Sequence, residues 1–171
     1  MLLLLDRLAP FLIGLNLVSL IAGFACGAWL LNQKRTRAFF KLVLVILIFN
    51  TACLFPAIYL LPRAAISEIA DAAACVKEGR LLVDGKEVDD PSPYIQAFQS
   101  IQWFMVGHHS VPRPPVITVQ CEAGGRQVVV KLMRDSQYKD EYWVFYPKYS
   151  LTAENDVGRI HTDLFRTYVK P

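Results

Sequence analysis

No charged residue occurs between Leu8 and Gln33, and none between Leu42 and Pro62. These uncharged stretches of 26 and 21 residues each reach the roughly 20 residues that an α-helix needs to cross the hydrocarbon core of a bilayer. Backbone polar groups in lipid have no water to bond, so each stretch is expected to be helical. The expectation is a two-helix transmembrane hairpin over residues 1–62, with spans at about 8–31 and 40–61. A secretory signal followed by one anchor is the alternative, because Gly23-Phe24-Ala25-Cys26 places small residues before a cysteine as a lipoprotein cleavage site does. Asp6 and Arg7 make a poor basic leader, and the apolar run continues through Ala28, Trp29, Leu30 and Leu31, which weighs against it.

Lys34, Arg35, Arg37 and Lys41 crowd the segment between the stretches, the loop 32–41. The positive-inside bias holds such a cluster in the cytoplasm and leaves the N-terminus and everything after Pro62 outside. In a Gram-negative bacterium this describes a multi-pass inner-membrane protein with a periplasmic domain. Residues 63–171 carry 13 basic and 14 acidic residues, so the basic character of the chain belongs to its membrane half. A nucleic-acid partner is excluded on that ground, since such a domain concentrates positive charge where it meets phosphate.

Ser19, Gly23 and Gly27 recur every four residues and form a small-residue seam on the first helix. Asn16 and Ser19 fall at the depth of Asn50, Thr51 and Cys53 in an antiparallel hairpin, where interhelical hydrogen bonds would satisfy them. Closure of the hairpin is the first use for this seam, and association with a second copy or a partner helix is the other. Pro56 is expected to kink the second helix. Neither apolar core contains an Asp, Glu, Lys, Arg or His, which argues against a proton relay or ion path.

Residues 63–171 suffice for one modest core. Ile66, Ile69, Ala70 and Ala73 recur at helical spacing over 63–78, and Asp84-Gly85 between short apolar segments marks a type I′ hairpin. Ser92-Pro93 starts a helix through Ile95, Phe98 and Met105, expected to stop at Gly107. Val111-Pro112-Arg113-Pro114-Pro115 reads as an extended connector. Val116 to Cys121 and Gln127 to Leu132 form a hairpin about Gly124-Gly125, and Tyr142 to Tyr146 a further strand. Thr152 caps an expected last helix bearing Val157, Ile160, Leu164, Phe165 and Tyr168 on one stripe, with a strand through Arg159-Ile160-His161 as the weaker alternative. The predicted class is α+β, a transmembrane hairpin followed by a small extracytoplasmic domain whose antiparallel sheet is packed by helices.

Cys75 and Cys121, the only cysteines of the exported half, are a disulfide candidate in an oxidising compartment. His108 and His109 beside Ser110, with His161, lack metal-ligand spacing, so neither metal nor cofactor is expected. No G-x-S-x-G, phosphate loop, H-E-x-x-H or C-x-x-C is present, and the acidic pairs Asp89-Asp90 and Asp140-Glu141 read as solvated turns. The remaining constellation is aromatic: Tyr138, Tyr142, Trp143, Phe145, Tyr146 and Tyr149, interleaved with Lys139, Lys148 and Arg159. Such side chains are enriched at binding hot spots, and Tyr142, Trp143, Phe145, Tyr146, Lys148 and Tyr149 are the candidate partner surface. Rest of these rings on the outer leaflet is a further reading.

The sequence thus points to a non-enzymatic membrane protein that presents a periplasmic interaction domain, as an accessory subunit of an envelope complex or a toxin-immunity type of binder. Its expected partners are membrane lipid and another envelope or effector protein, with homo-oligomers as a variant. A periplasmic ligand-binding or sensor domain is the alternative, and a periplasmic enzyme a more distant one.

Overall fold

A computed structural model describes residues 2–30, 37–76, 79–103, 110–154 and 156–168. The side chains of some helical residues, Gly27, Asn50 and Cys53 among them, lie outside that description, as do His108, His109 and the expected helix end at Gly107. The chain divides into two compact units, Met1–Leu61 and Pro62–Pro171.

Helix α1 spans Leu2–Leu30 and α2 spans Arg37–Cys75, so α2 contains the unit boundary and continues through Pro56. The short amphipathic helix expected over 63–78 is the last part of α2, which runs on through Pro62 to Cys75. Inside the first unit the helices run antiparallel. The Thr51 hydroxyl lies 3.4 Å from Asn16 Oδ1 and donates to the Leu47 carbonyl at 2.8 Å. A Cβ on Gly23 would sit 3.6 Å from Val43 Cγ1, so α2 passes close to the backbone of α1 there. Ser19 is buried, while Leu4, Phe11, Leu17, Val18, Ile21, Val45, Ile48 and Phe49 are exposed. Among the described residues one helical window, Asp6–Gly23, is long and apolar enough to cross a membrane.

The second unit is α+β. Its strands are β1 (Arg80–Val83), β2 (Lys86–Glu87), β3 (Pro112–Ala123), β4 (Arg126–Asp135), β5 (Glu141–Phe145) and β6 (Gly158–His161). They form one sheet in the order β2-β1-β3-β4-β5-β6, every pair antiparallel. Helices α3 (Ser92–Gln99) and α4 (Ser150–Glu154) and a 3₁₀ turn at Arg166–Tyr168 complete it. Asp84 and Gly85 adopt φ of +49° and +76°, and Gly124 and Gly125 +55° and +73°, the left-handed pairs that a two-residue hairpin turn requires.

Three local expectations are corrected. Ser92 does not cap α3: the N-cap position is Pro91, which has no side-chain cap, and Asp90 Oδ1 accepts the Ser92 N–H at 3.0 Å in the turn before it; the helix stops at Gln99, where the Ser100 hydroxyl donates to the Ala97 carbonyl at 2.7 Å. The proline run is the start of β3, paired with β4 through Pro112↔Asp135 and Arg113↔Arg134 before a register break. Pro112, Pro114 and Pro115 carry no backbone N–H, so the part of β3 that extends beyond β1 offers few donors for further pairing. In place of the expected last helix stands β6, the strand through Arg159-Ile160-His161 that was its alternative, antiparallel to β5 through Trp143↔Arg159, where pairing satisfies its backbone.

Register assigns the two faces of the sheet. Leu81, Val83, Ile117, Val119, Cys121, Val130, Leu132, Tyr142, Val144 and Ile160 share the inner face and are all buried. Buried Ala65, Ile69 and Ala73 on α2, Ile95 and Phe98 on α3, and Phe165 supply the rest of this core. Phe165 packs edge-on to Tyr142 with ring centroids 5.4 Å apart. The opposite face carries Thr118, Gln120, Lys131, Met133, Trp143 and Arg159, and is more polar.

Candidate functional site

Two clusters of polar side chains stand out in the second unit, one on each face of the sheet. The outer one grows from β5 and β6. Trp143 and Arg159 are register partners, and the Arg159 guanidinium carbon lies 3.4 Å from the centroid of the Trp143 ring. Arg159 Nη1 donates to Glu141 Oε1 at 2.9 Å, and Glu141 is 1% exposed. Asp156 approaches Arg159 Nε at 3.4 Å, burial pushing its carboxyl up, and His161 Nε2 stands 3.7 Å from Glu141 Oε2. On the far side of the indole, Trp143 Nε1 donates to Asp135 Oδ2 at 2.8 Å. Asp135 is buried and also accepts the N–H groups of Gln137 and Tyr138. Burial alone would raise its carboxyl, but hydrogen bonds from the Ser110 side chain, the Gln137 N–H, the Trp143 indole and the Tyr138 N–H bring it down to about 2.

The inner cluster joins α2 to the end of β5. Glu68 accepts hydrogen bonds from Tyr146 at 2.9 Å, from Tyr149 at 2.7 Å and from Lys148 at 2.6 Å. Burial works to raise this carboxyl, and the three donors together hold it below its ordinary value. Tyr146 is raised in turn, by burial first and then by the neighbouring carboxylate. The cluster forms one end of a half-open cleft of about 530 Å³, whose walls include Glu68, Asp71 and Cys75 on α2 and Cys121, Arg126 and Lys148 on the sheet side. Acids line the helix and cations the facing wall, so the cleft suits a group that carries both charges. Burial pushes the Cys121 thiol up to about 11, leaving it a poor nucleophile.

These positions revise the aromatic surface expected from the sequence. Tyr142 is fully buried, Phe145 is 9% exposed, and Tyr146 and Tyr149 are 2% exposed, so they are core and cleft wall rather than an open patch. The register turns Tyr142 and Val144 toward the helices, Glu68 draws the two later tyrosines inward, and Phe145, although on the outer face with Trp143, is covered there. Trp143 does face outward, where Arg159 covers it; Lys148 is exposed but engaged by Glu68. Cys75 and Cys121 are free thiols on the walls of the same cleft. Among the described residues no group of three or more His, Cys, Asp or Glu could hold a metal.

Glu68, Asp71, Arg126 and Asp135 were not singled out by sequence. Glu68 had a local signal, an acid flanking the buried stripe Ala65, Ile69 and Ala73. Asp135 had another, the Asp-Ser-Gln turn in which its carboxylate takes the N–H two residues on. No family model, no curated protein and no solved structure matches the chain.

Proposed function

We propose that this chain is a non-enzymatic inner-membrane protein whose 40–61 stretch, together with α1, anchors an extracytoplasmic α+β interaction domain. The observation that carries the reading is the antiparallel packing of α1 and α2 at Asn16–Thr51 and Gly23–Val43, with large apolar side chains such as Phe11, Leu17, Val45 and Phe49 directed outward. Exposed apolar surface of that extent calls for lipid or a partner helix. The cluster Lys34, Arg35, Arg37 and Lys41 sets the orientation, with the N-terminus and the domain in the periplasm.

The domain binds another envelope or effector protein, as an accessory subunit or an immunity-type binder. With the tyrosines folded inward, a partner meets the polar outer face of the sheet, Gln120 and Lys131 included, and the rim of the cleft. Purification of the tagged chain from its own membranes in mild detergent should recover a stoichiometric second protein, identifiable by mass spectrometry. Lys131→Glu should weaken that recovery without unfolding the domain. Recovery of the chain alone contradicts the reading. The cleft favours a second one, a ligand-binding or sensor domain, because 530 Å³ between acidic and basic walls is enough for a small zwitterion. Under that reading Arg126→Glu, and not Lys131→Glu, would abolish function.

A further inference from the structure

We infer that Trp103 and Arg63 form a membrane-interface contact through which the extracytoplasmic domain rests on the lipid headgroups. The inference depends on the proposal that residues 40–61 span the bilayer. Arg63 is the first charged residue after the 21 uncharged residues Leu42–Pro62, so chain continuity along α2 fixes its depth at the edge of the hydrocarbon. A guanidinium is costly inside the bilayer and turns toward the headgroups, where it also attracts anionic lipid. The Arg63 guanidinium carbon lies 4.8 Å from the centroid of the Trp103 ring. Trp103 therefore sits within one side-chain radius of the interface, although it is 40 residues away in sequence.

Tryptophan is suited to that depth, since its ring is apolar and its N–H can remain in the hydrated layer. Arg63 is exposed and Trp103 partly exposed. The rings of Tyr142, Tyr146 and Tyr149, buried inside the domain, are not available for this role.

The test uses the full chain in vesicles of phosphatidylcholine and phosphatidylglycerol, some brominated high on the acyl chains and some near their ends. A variant with Trp29→Phe and Trp143→Phe leaves Trp103 as the only tryptophan; one with Trp103→Phe and Trp143→Phe leaves Trp29, which reports the membrane segment. Trp103 emission should be blue-shifted, lost mostly to the shallow bromines, and little affected by aqueous iodide. Unquenched, iodide-accessible Trp103 emission beside quenched Trp29 emission overturns the inference while leaving the membrane reading intact. Failure of both tryptophans to be quenched overturns the membrane reading and the inference with it. Circular dichroism checks folding, and if Trp143→Phe prevents it, the wild-type signal minus that of Trp103→Phe gives the same comparison.

Discussion

The Arg159 guanidinium covers the outer face of the Trp143 ring at 3.4 Å, so a tryptophan on the open side of the sheet is shielded by its own register partner. Held between Asp135 at its N–H and Arg159 over its face, the indole has a fixed place, and Glu141 fixes the arginine in turn.

Arg159→Ala should therefore destabilise the domain by roughly 3–5 kcal/mol, because it leaves the buried Glu141 carboxylate without its main partner. Glu141→Leu combined with Arg159→Leu should recover most of that loss, since an apolar pair has no charge to desolvate. Urea unfolding followed by tryptophan emission measures both.

Asp135 sets a pH window. Its carboxyl falls from an ordinary 3.8 to about 2 in the folded domain, so its contribution is fully present above about pH 4 and is lost as pH falls through 2. Integrated over that interval the contribution is about 2 kcal/mol. Asp135→Asn should lower stability at neutral pH and flatten the acid limb of a stability–pH curve relative to wild type.

Tyr142→Phe should be neutral or slightly stabilising, within about 1 kcal/mol. The Tyr142 hydroxyl is buried and has no hydrogen-bond partner among the described residues, so its removal ends a desolvation cost. A melting curve that drops by many degrees would show that the hydroxyl is satisfied in solution.

Gly158→Ala should weaken the edge of the sheet by roughly 1–3 kcal/mol. A Cβ there would lie 2.5 Å from the Gln102 carbonyl oxygen, and Gln102 and Arg159 exchange both backbone hydrogen bonds at that point. Faster hydrogen exchange at the Arg159 N–H is the expected signature.

What was legible in the sequence was local. Asp84-Gly85 and Gly124-Gly125 announce their turns because only certain residues tolerate positive φ, and Ser92-Pro93 lies at the start of a helix, preceded by a turn in which Asp90 accepts the Ser92 N–H. Strand β6 was misread because Val157, Ile160, Leu164, Phe165 and Tyr168 also satisfy a helical period, and only pairing with β5 decides between the two. The aromatic run 138–149 looked like a surface for the same reason: alternation identifies two faces but not which one meets the helices. Glu68, 78 residues before Tyr146, and Arg63, 40 before Trp103, are joined to their partners only by tertiary structure.

Chemical labelling separates the two thiols of the cleft. In the reduced chain at neutral pH, Cys75, which is exposed, should be alkylated well before Cys121, which is buried and resists ionisation. Equal rates would mean that the cleft opens wider than its walls imply. Gel mobility of the unreduced chain beside Cys75→Ser then tests for a bridge between them.

Membrane topology decides where the domain lies. Alkaline phosphatase fused after Pro171 should be active and green fluorescent protein dark there, while fusions at Gln33 should give the reverse. Fluorescence at Pro171 with an inactive phosphatase would place the domain in the cytoplasm and contradict the proposal.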